Sequence, residues 1–263
     1  MGTGNIMADG KTIGIISLKG GVGKTSSVAN LGAALASEFG RKVLVVDANF
    51  SAPNLGLHLG LINPKITIHD VLLGRCKAED AVHEHKAGFH LIPGAYVSRK
   101  VRPSALNDRI SHLKERYDDI VIDSSPNLNE EMLATMMASD ELLVITSPDY
   151  PTLSATLRAV RLARQKRTPI TGIVLNKVRG KKFELRTEDI EHAAQVPVIG
   201  VLPEDINMLE SVSVATPLVL HKGRSDAAIA YKKLAARLIG REYRDPRLLQ
   251  RLKSVLGMGP REK

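Results

Sequence analysis

Residues 12 to 38 set the architecture. They read Thr-Ile-Gly-Ile-Ile-Ser, then Leu-Lys-Gly-Gly-Val-Gly-Lys-Thr-Ser from Leu18 to Ser26, then a stretch with helical periodicity. An apolar run that breaks into glycines and reopens as a helix is a strand–loop–helix unit. Gly20, Gly21 and Gly23 can take backbone angles closed to other residues, so successive N–H groups can turn inward on a polyphosphate at the start of the next helix. In such a loop Lys24 reaches the terminal phosphates and the Thr25 hydroxyl ligates Mg2+, with Val22 and Ser26 completing the cradle. The other reading is an ordinary strand-to-helix turn, and the required strand and helix on either side weigh against it.

The rest of the chain repeats the alternation. Short β-branched runs fall at 12–17, 42–46, 119–122, 141–146, 170–175 and 198–202, with a further strand suggested at 88–93. Continuous apolar runs of this length are typical of parallel strands buried on both faces. Helical periodicity fills 24–38, 103–115, 129–138, 152–166, 185–194 and 225–239. The pattern predicts an α/β fold: a doubly wound, mostly parallel sheet with helices on both faces, of the P-loop NTPase kind, with its ligand at the carboxyl ends of the strands. No repeat or Pro/Gly-rich linker divides it. The expected organisation is a disordered leader over 1–10, one nucleotide-binding domain over 11–240 and a tail over 241–263. The leader lacks the charged-then-apolar order of a signal peptide, and Ile6 stands where myristoylation wants Ser or Thr. The single cysteine, Cys76, permits no internal disulfide and points to a reducing compartment. No apolar run reaches the roughly 18 to 20 residues of a membrane span.

Asp47 closes the second run in Val-Val-Asp-Ala-Asn, and Asp123 a later one in Ile-Val-Ile-Asp-Ser-Ser-Pro. In a parallel sheet both carboxylates leave at the edge where the glycine loop lies, placed to orient the water shell of Mg2+. An aspartate that caps a loop or helix is the alternative for each.

The usual phosphate-loop pattern opens with glycine where this chain has Leu18, and Lys19 adds a second lysine, giving K-G-G-x-G-K-T. Further along come Asp47 seven residues before Asn54-Leu55 and Leu59-Gly60, then Asp123-Ser124-Ser125-Pro126, Leu175-Asn176-Lys177 and Leu202-Pro203-Glu204-Asp205. On these motifs residues 11 to 240 resemble the MinD/ParA family of deviant P-loop ATPases, MinD more closely than ParA. The resemblance implies ATP and Mg2+ as cofactors and an ATP-sandwiched homodimer in which Lys19 crosses to the partner's nucleotide. It also implies that Asn176 bonds adenine, that Pro203, Glu204 and Asp205 line the base pocket, and that an activating or cargo protein exists. Lys19, Lys24, Asp47 and the residue at position 49 form the implied catalytic set. One departure stands out: the family usually carries a second Asp where this chain has Asn49. An amide can hydrogen-bond a water but is a far poorer proton acceptor than a carboxylate, so intact binding with slow turnover is expected.

Of the net charge of +9, most sits at one end: residues 232–263 hold ten Lys or Arg against Glu242, Asp245 and Glu262. Within it, Leu248, Leu249, Leu252, Val255 and Leu256 share one helical face, flanked by Arg247, Arg251 and Lys253. This is the pattern of a helix lying in a membrane interface, or of one docked on the protein's own core. MinD proteins are similar in ending on an amphipathic helix that holds an anionic membrane when ATP-driven dimerisation pairs two copies. The leading expectation is therefore a cytoplasmic ATPase switch, peripherally membrane-associated in its ATP state, that helps position a division or surface apparatus. Two alternatives remain. One is a ParA-like switch binding DNA through Arg161, Arg164, Lys166, Arg167, Lys181 and Lys182. The other is a nucleotide-locked scaffold, for which Asn49 is the argument. Metal-cluster chemistry is disfavoured because Cys76 stands alone.

Overall fold

The strands β1 (Lys11–Ile16), β2 (Val43–Ala48), β3 (His83–Glu84), β4 (His90–Ile92), β5 (Asp119–Ser124), β6 (Glu141–Thr146), β7 (Ile170–Val178) and β8 (Val198–Pro203) form one sheet in a computed structural model that describes residues 10–97 and 100–247. Their order is β3-β4-β2-β5-β1-β6-β7-β8. Every described pairing is parallel except that of the two-residue β3, which runs antiparallel to β4 at the sheet edge. The helices are α1 (Lys24–Phe39), α2 (Leu55–His58), α3 (Ile68–Leu72), α4 (Leu106–Ile110), α5 (Glu130–Met137), α6 (Tyr150–Gln165), α7 (Thr187–Ala194), α8 (Asn207–Ser213), α9 (Leu218–His221) and α10 (Asp226–Leu238).

Alternation along each strand explains the unbroken apolar runs. Ile13, Ile15, Val43 and Val45 pack into a core shared with α1 and α10, while Leu44, Val46, Ile120 and Ile122 face α3 and α4 on the other side. Farther along that second face, Leu142, Val144 and Ile173 pack on α5, α6 and α7. Both faces are covered, which is the environment parallel sheets require. The helices supply matching stripes: Val28, Leu31 and Leu35 on α1 meet Tyr231, Leu234 and Ala235 on α10. Helix α1 stops where Gly40 takes a left-handed φ of 65° and returns its N–H to Ala36, a conformation that favours glycine.

The fold expectation is met, and the strands agree closely with the sequence reading. The expected helix over 103–115 departs from it. It splits into a 3-10 turn from Pro103 to Ala105, α4, and a second 3-10 turn from Ser111 to Glu115. The tightened last turn lets the chain enter β5 while Lys114 O and Asp118 O accept the N–H groups of Gly10 and Lys11. Residues 241–247 of the expected tail lie on the domain: Tyr243 meets Phe39 edge-on with ring centres 6.5 Å apart, and the Lys232 ammonium sits 5.9 Å from the Tyr243 ring centre.

The α1–α10 seam holds the glycine loop's helix in place, and its polar contacts include Ser27 Oγ to Tyr231 OH at 3.1 Å and the Lys232–Glu38 ion pair at 2.7 Å. Tyr231→Phe leaves the serine hydroxyl unpaired and should cost about 1–2 kcal/mol in urea denaturation. Adding Ser27→Ala should recover most of that loss, because it removes the stranded partner.

Candidate nucleotide site

Helix α1 begins without a side-chain cap. Its N-cap is Gly23, at φ 95°, and no acidic residue lies in its first turn. The first amides of the helix therefore keep their unpaired N–H groups and the positive end of the helix dipole for an external anion. Gly21 is also left-handed, at φ 75°. A Cβ on Gly23 would lie 2.3 Å from the Asn176 amide nitrogen, so both backbone angle and space demand glycine there.

Around this helix end the predicted residues converge. Lys24 is buried, and burial lowers its pKa against the opposing attraction of Asp123. The Thr25 hydroxyl donates to Asp123 Oδ2 at 2.6 Å and lies 3.0 Å from Asn54 Oδ1. Asp47 and Asp123 stand in register on β2 and β5, both fully enclosed. Asp47 accepts three main-chain N–H groups, from Asn49 at 3.1 Å and from Asn54 and Leu55 at 3.0 Å. Even so its pKa is raised, by burial first and by the neighbouring Asp123 charge second. Asp123 is raised as well, by burial, with the Thr25 bond and Lys24 opposing. Asp123 Oδ1 is buried with no hydrogen-bond partner. Two enclosed carboxylates, one with an orphaned oxygen, and a threonine hydroxyl form a hard-oxygen donor set suited to Mg2+, which commonly keeps several waters and takes its remaining ligands from phosphate.

Asn49 is buried beside them. Its amide donates to Ala52 O at 2.7 Å, so the side chain braces the turn of its own loop. Lys19 takes a different direction from Lys24: its ammonium reaches Thr152 Oγ1 at 2.6 Å and Asp149 Oδ1 at 3.3 Å. Asp149 caps α6 by accepting Thr152 N–H at 2.9 Å. Its pKa falls to about 2 because bonds from Ser147, Thr152 and Lys19 outweigh the cost of burial.

Asn176, Pro203, Glu204 and Asp205 come together with Gly23 and Ser26 around a cavity of about 380 Å³. Asn176 donates to Val22 O at 2.7 Å. Glu204 is paired with Arg179, whose Nη2 donates to Oε1 at 2.9 Å and whose Nε donates to Oε2. The sequence reading did not assign site roles to Asn54, Asp149, Thr152, Lys177 or Arg179. Of these only Asn54 and Lys177 lay inside quoted motifs; the others arrive through tertiary contacts that carry no local signal.

The tail residues separate. Arg247, expected to face lipid, is engaged by Asp226 Oδ1 at 2.6 Å and by Asp245 Oδ2 at 2.8 Å. Leu248, Leu249, Arg251, Leu252, Lys253, Val255 and Leu256 lie outside the described residues. Among the basic residues of the DNA alternative, Arg164 donates to Gln195 O at 2.9 Å at the end of α7. No helix among the described residues is long and apolar enough to cross a membrane.

Comparison with known proteins agrees with the fold. A family model described as an AAA domain matches residues 10–168. An uncharacterized ATP-binding protein of Methanocaldococcus jannaschii is 37% identical over 235 residues, covering 88% of each chain. The cell division ATPase MinD of Pyrococcus furiosus superimposes with a TM-score of 0.84 at 34% identity, over 88% of this chain and 99% of that one. The septum site-determining protein MinD of Pyrococcus horikoshii, solved with Mg-ADP, gives 0.82 at 34% identity, over 87% of this chain and 95% of that one.

Gly23→Ala should lower affinity for a fluorescent ADP analogue by at least about tenfold, since it strains the loop and drives a methyl group into Asn176. Gly40→Ala, at the far end of the same helix, should cost about 1 kcal/mol in stability and leave affinity unchanged.

Proposed function

The chain belongs to the MinD/ParA family of P-loop ATPases, and from that membership we propose that it is a MinD-like switch, dimerising on ATP, holding a membrane surface in that state and hydrolysing slowly. The observation that carries the reading is the division of labour between two lysines of one loop. Lys24 is buried against Asp123 at the helix end, and Lys19 points outward to the cap of α6, with 42% of its side chain exposed. A lysine on the outer flank of a phosphate loop is suited to a nucleotide carried by a second copy.

ATP with Mg2+ is the ligand pair. The first-turn N–H groups of α1 and Lys24 bind and orient the phosphates, and Asn176, Pro203, Glu204 and Asp205 surround the base. Thr25, Asp47 and Asp123 hold the metal and its waters. Mg2+ supplies positive charge to the phosphate oxygens as charge builds on them. Asn49 stands where the family usually carries an Asp thought to position the attacking water, but it has no charge, and its amide is committed to Ala52 O. It therefore orients a water weakly and accepts no proton, so hydrolysis is slow.

The tail carries the membrane end of the proposal. Arg247 roots it on α10 and the leucine face begins at the next residue. One copy buries few leucines and must be ordered at the interface, so it binds weakly. Two copies joined in a dimer bind together, and avidity turns nucleotide state into membrane residence. Positioning of a division or surface apparatus through a cargo or activating protein follows from the likeness to MinD. A nucleotide-locked scaffold is the second reading, favoured by the same Asn49–Ala52 bond.

Two measurements test this. In co-sedimentation with anionic liposomes at matched ionic strength, the protein should pellet with ATP and stay in the supernatant with ADP, and Leu252→Glu should abolish pelleting. Pelleting in neither state overturns the membrane reading. In phosphate-release assays Asn49→Asp should raise turnover at least about tenfold, the low end for a positioned acid–base group. The same change should cost about 1 kcal/mol of stability, because aspartate cannot donate to Ala52 O. A wild-type rate equal to that of Asn49→Asp removes the slow-hydrolysis claim.

A further inference from the structure

The end of β7 is irregular. Its register with β8 shifts between Leu175 and Val178, and Lys177 sits at φ 58°, a left-handed conformation uncommon for a residue with a side chain. In a regular strand successive side chains point to opposite faces, so neighbours cannot serve the same target. Here they do. Asn176 Nδ2 donates to Val22 O at 2.7 Å, and Lys177 Nζ donates to Gly21 O at 2.7 Å. Asn176 Oδ1 accepts the Lys177 N–H at 2.9 Å, which ties the two residues into one unit. Gly23 completes the fit, since any side chain there would collide with the Asn176 amide.

A loop that offers its N–H groups to an anion must send carbonyls elsewhere, and unpaired carbonyls leave it free to turn over. Gly21 and Val22 are two of the loop's residues, and both of their carbonyls are taken by the β7 irregularity. Strained backbone persists where the surrounding structure uses it. We propose that Lys177 is a positioning residue of the nucleotide site: acting through the Gly21 carbonyl, it holds the glycine loop in the conformation that presents its N–H groups to phosphate. The inference rests on the ATP-site reading above. It adds a role to a residue that touches the loop from outside, and the left-handed turn at Lys177 is the device that makes its reach possible.

The test uses the full chain with wild type and Lys177→Met, Lys177→Arg and Lys177→Gly, titrated with fluorescent Mg-ADP and unfolded in urea. Lys177→Met should bind about three- to tenfold more weakly, the loss expected for one partly exposed charge-assisted bond. Lys177→Arg should return affinity to within about twofold, since guanidinium also donates to a carbonyl. Lys177→Gly relieves the backbone angle while deleting the donor, so it should be at least as stable as wild type and bind as poorly as Lys177→Met. Amide hydrogen exchange over residues 20–24 in nucleotide-free protein should quicken in Lys177→Met. Wild-type affinity in Lys177→Met or Lys177→Gly overturns the proposal. So does unchanged exchange alongside weakened binding, which means that Lys177 meets the phosphates directly. Failure of the wild type to bind Mg-ADP at all instead removes the ATP-site reading on which the inference stands.

Discussion

Two carboxylates stand side by side on adjacent parallel strands, in register, both cut off from water, and the site is organised by that unfavourable arrangement. Asp47 and Asp123 repel each other and both resist ionisation. A buried acid with a raised pKa in the folded state binds its proton more tightly than the unfolded chain does. The pair thus contributes stability at low pH that is lost as pH rises past the ordinary carboxylate range and through the raised values. A divalent cation held by the pair, as in the proposed site, would offset this repulsion and would couple the folded state of the sheet edge to occupancy of the site.

The contacts around the pair are shared between elements that belong to different parts of the chain. Asp47 bonds the amides that start α2, and Thr25 on α1 bonds Asp123 on β5. The loop from 49 to 55 is thereby tied at both ends to one carboxylate. A change in charge at Asp47 or Asp123 alters the hydrogen bonds that shape this loop, which lies at the carboxyl edge of the sheet with α1. The loop's conformation is therefore linked to the ionisation of the cluster through bonds of 2.6 to 3.1 Å.

How much of this was legible in the sequence follows from where each signal resides. The strand–glycine–helix unit and the aspartates at strand ends are local patterns, and β1, α1, β2 and β5 appear where those patterns put them. The short helices α2, α3, α8 and α9 span seven residues or fewer, too short for an apolar period to emerge. Arg179, Asp149 and Thr152 reach the site only because β7 ends and α6 begins beside it, which no spacing reveals. Lys177 was visible as a residue beside Asn176, yet its role depends on a backbone angle that strand periodicity argues against. Arg247 shows the converse: its place on an amphipathic pattern suggested lipid, yet it is held by Asp245, two residues away, and by Asp226, which the fold of α10 brings to it.

Asn49 joins the local and the tertiary readings. From sequence it is a missing charge in a place where the family has an acid. In the fold it is also a donor, with its amide hydrogen on Ala52 O and its main-chain N–H on Asp47 Oδ1. An aspartate has no hydrogen to give Ala52 and would set its charge against a carbonyl oxygen and against Asp47, already raised by one neighbouring acid. The amide is thus compatible with the metal-free cluster in a way that a third carboxylate is not. Exchanging charge for a donor stabilises the resting loop and removes the group best able to polarise a water, so the slow turnover proposed above and the Asn49–Ala52 bond would have one cause.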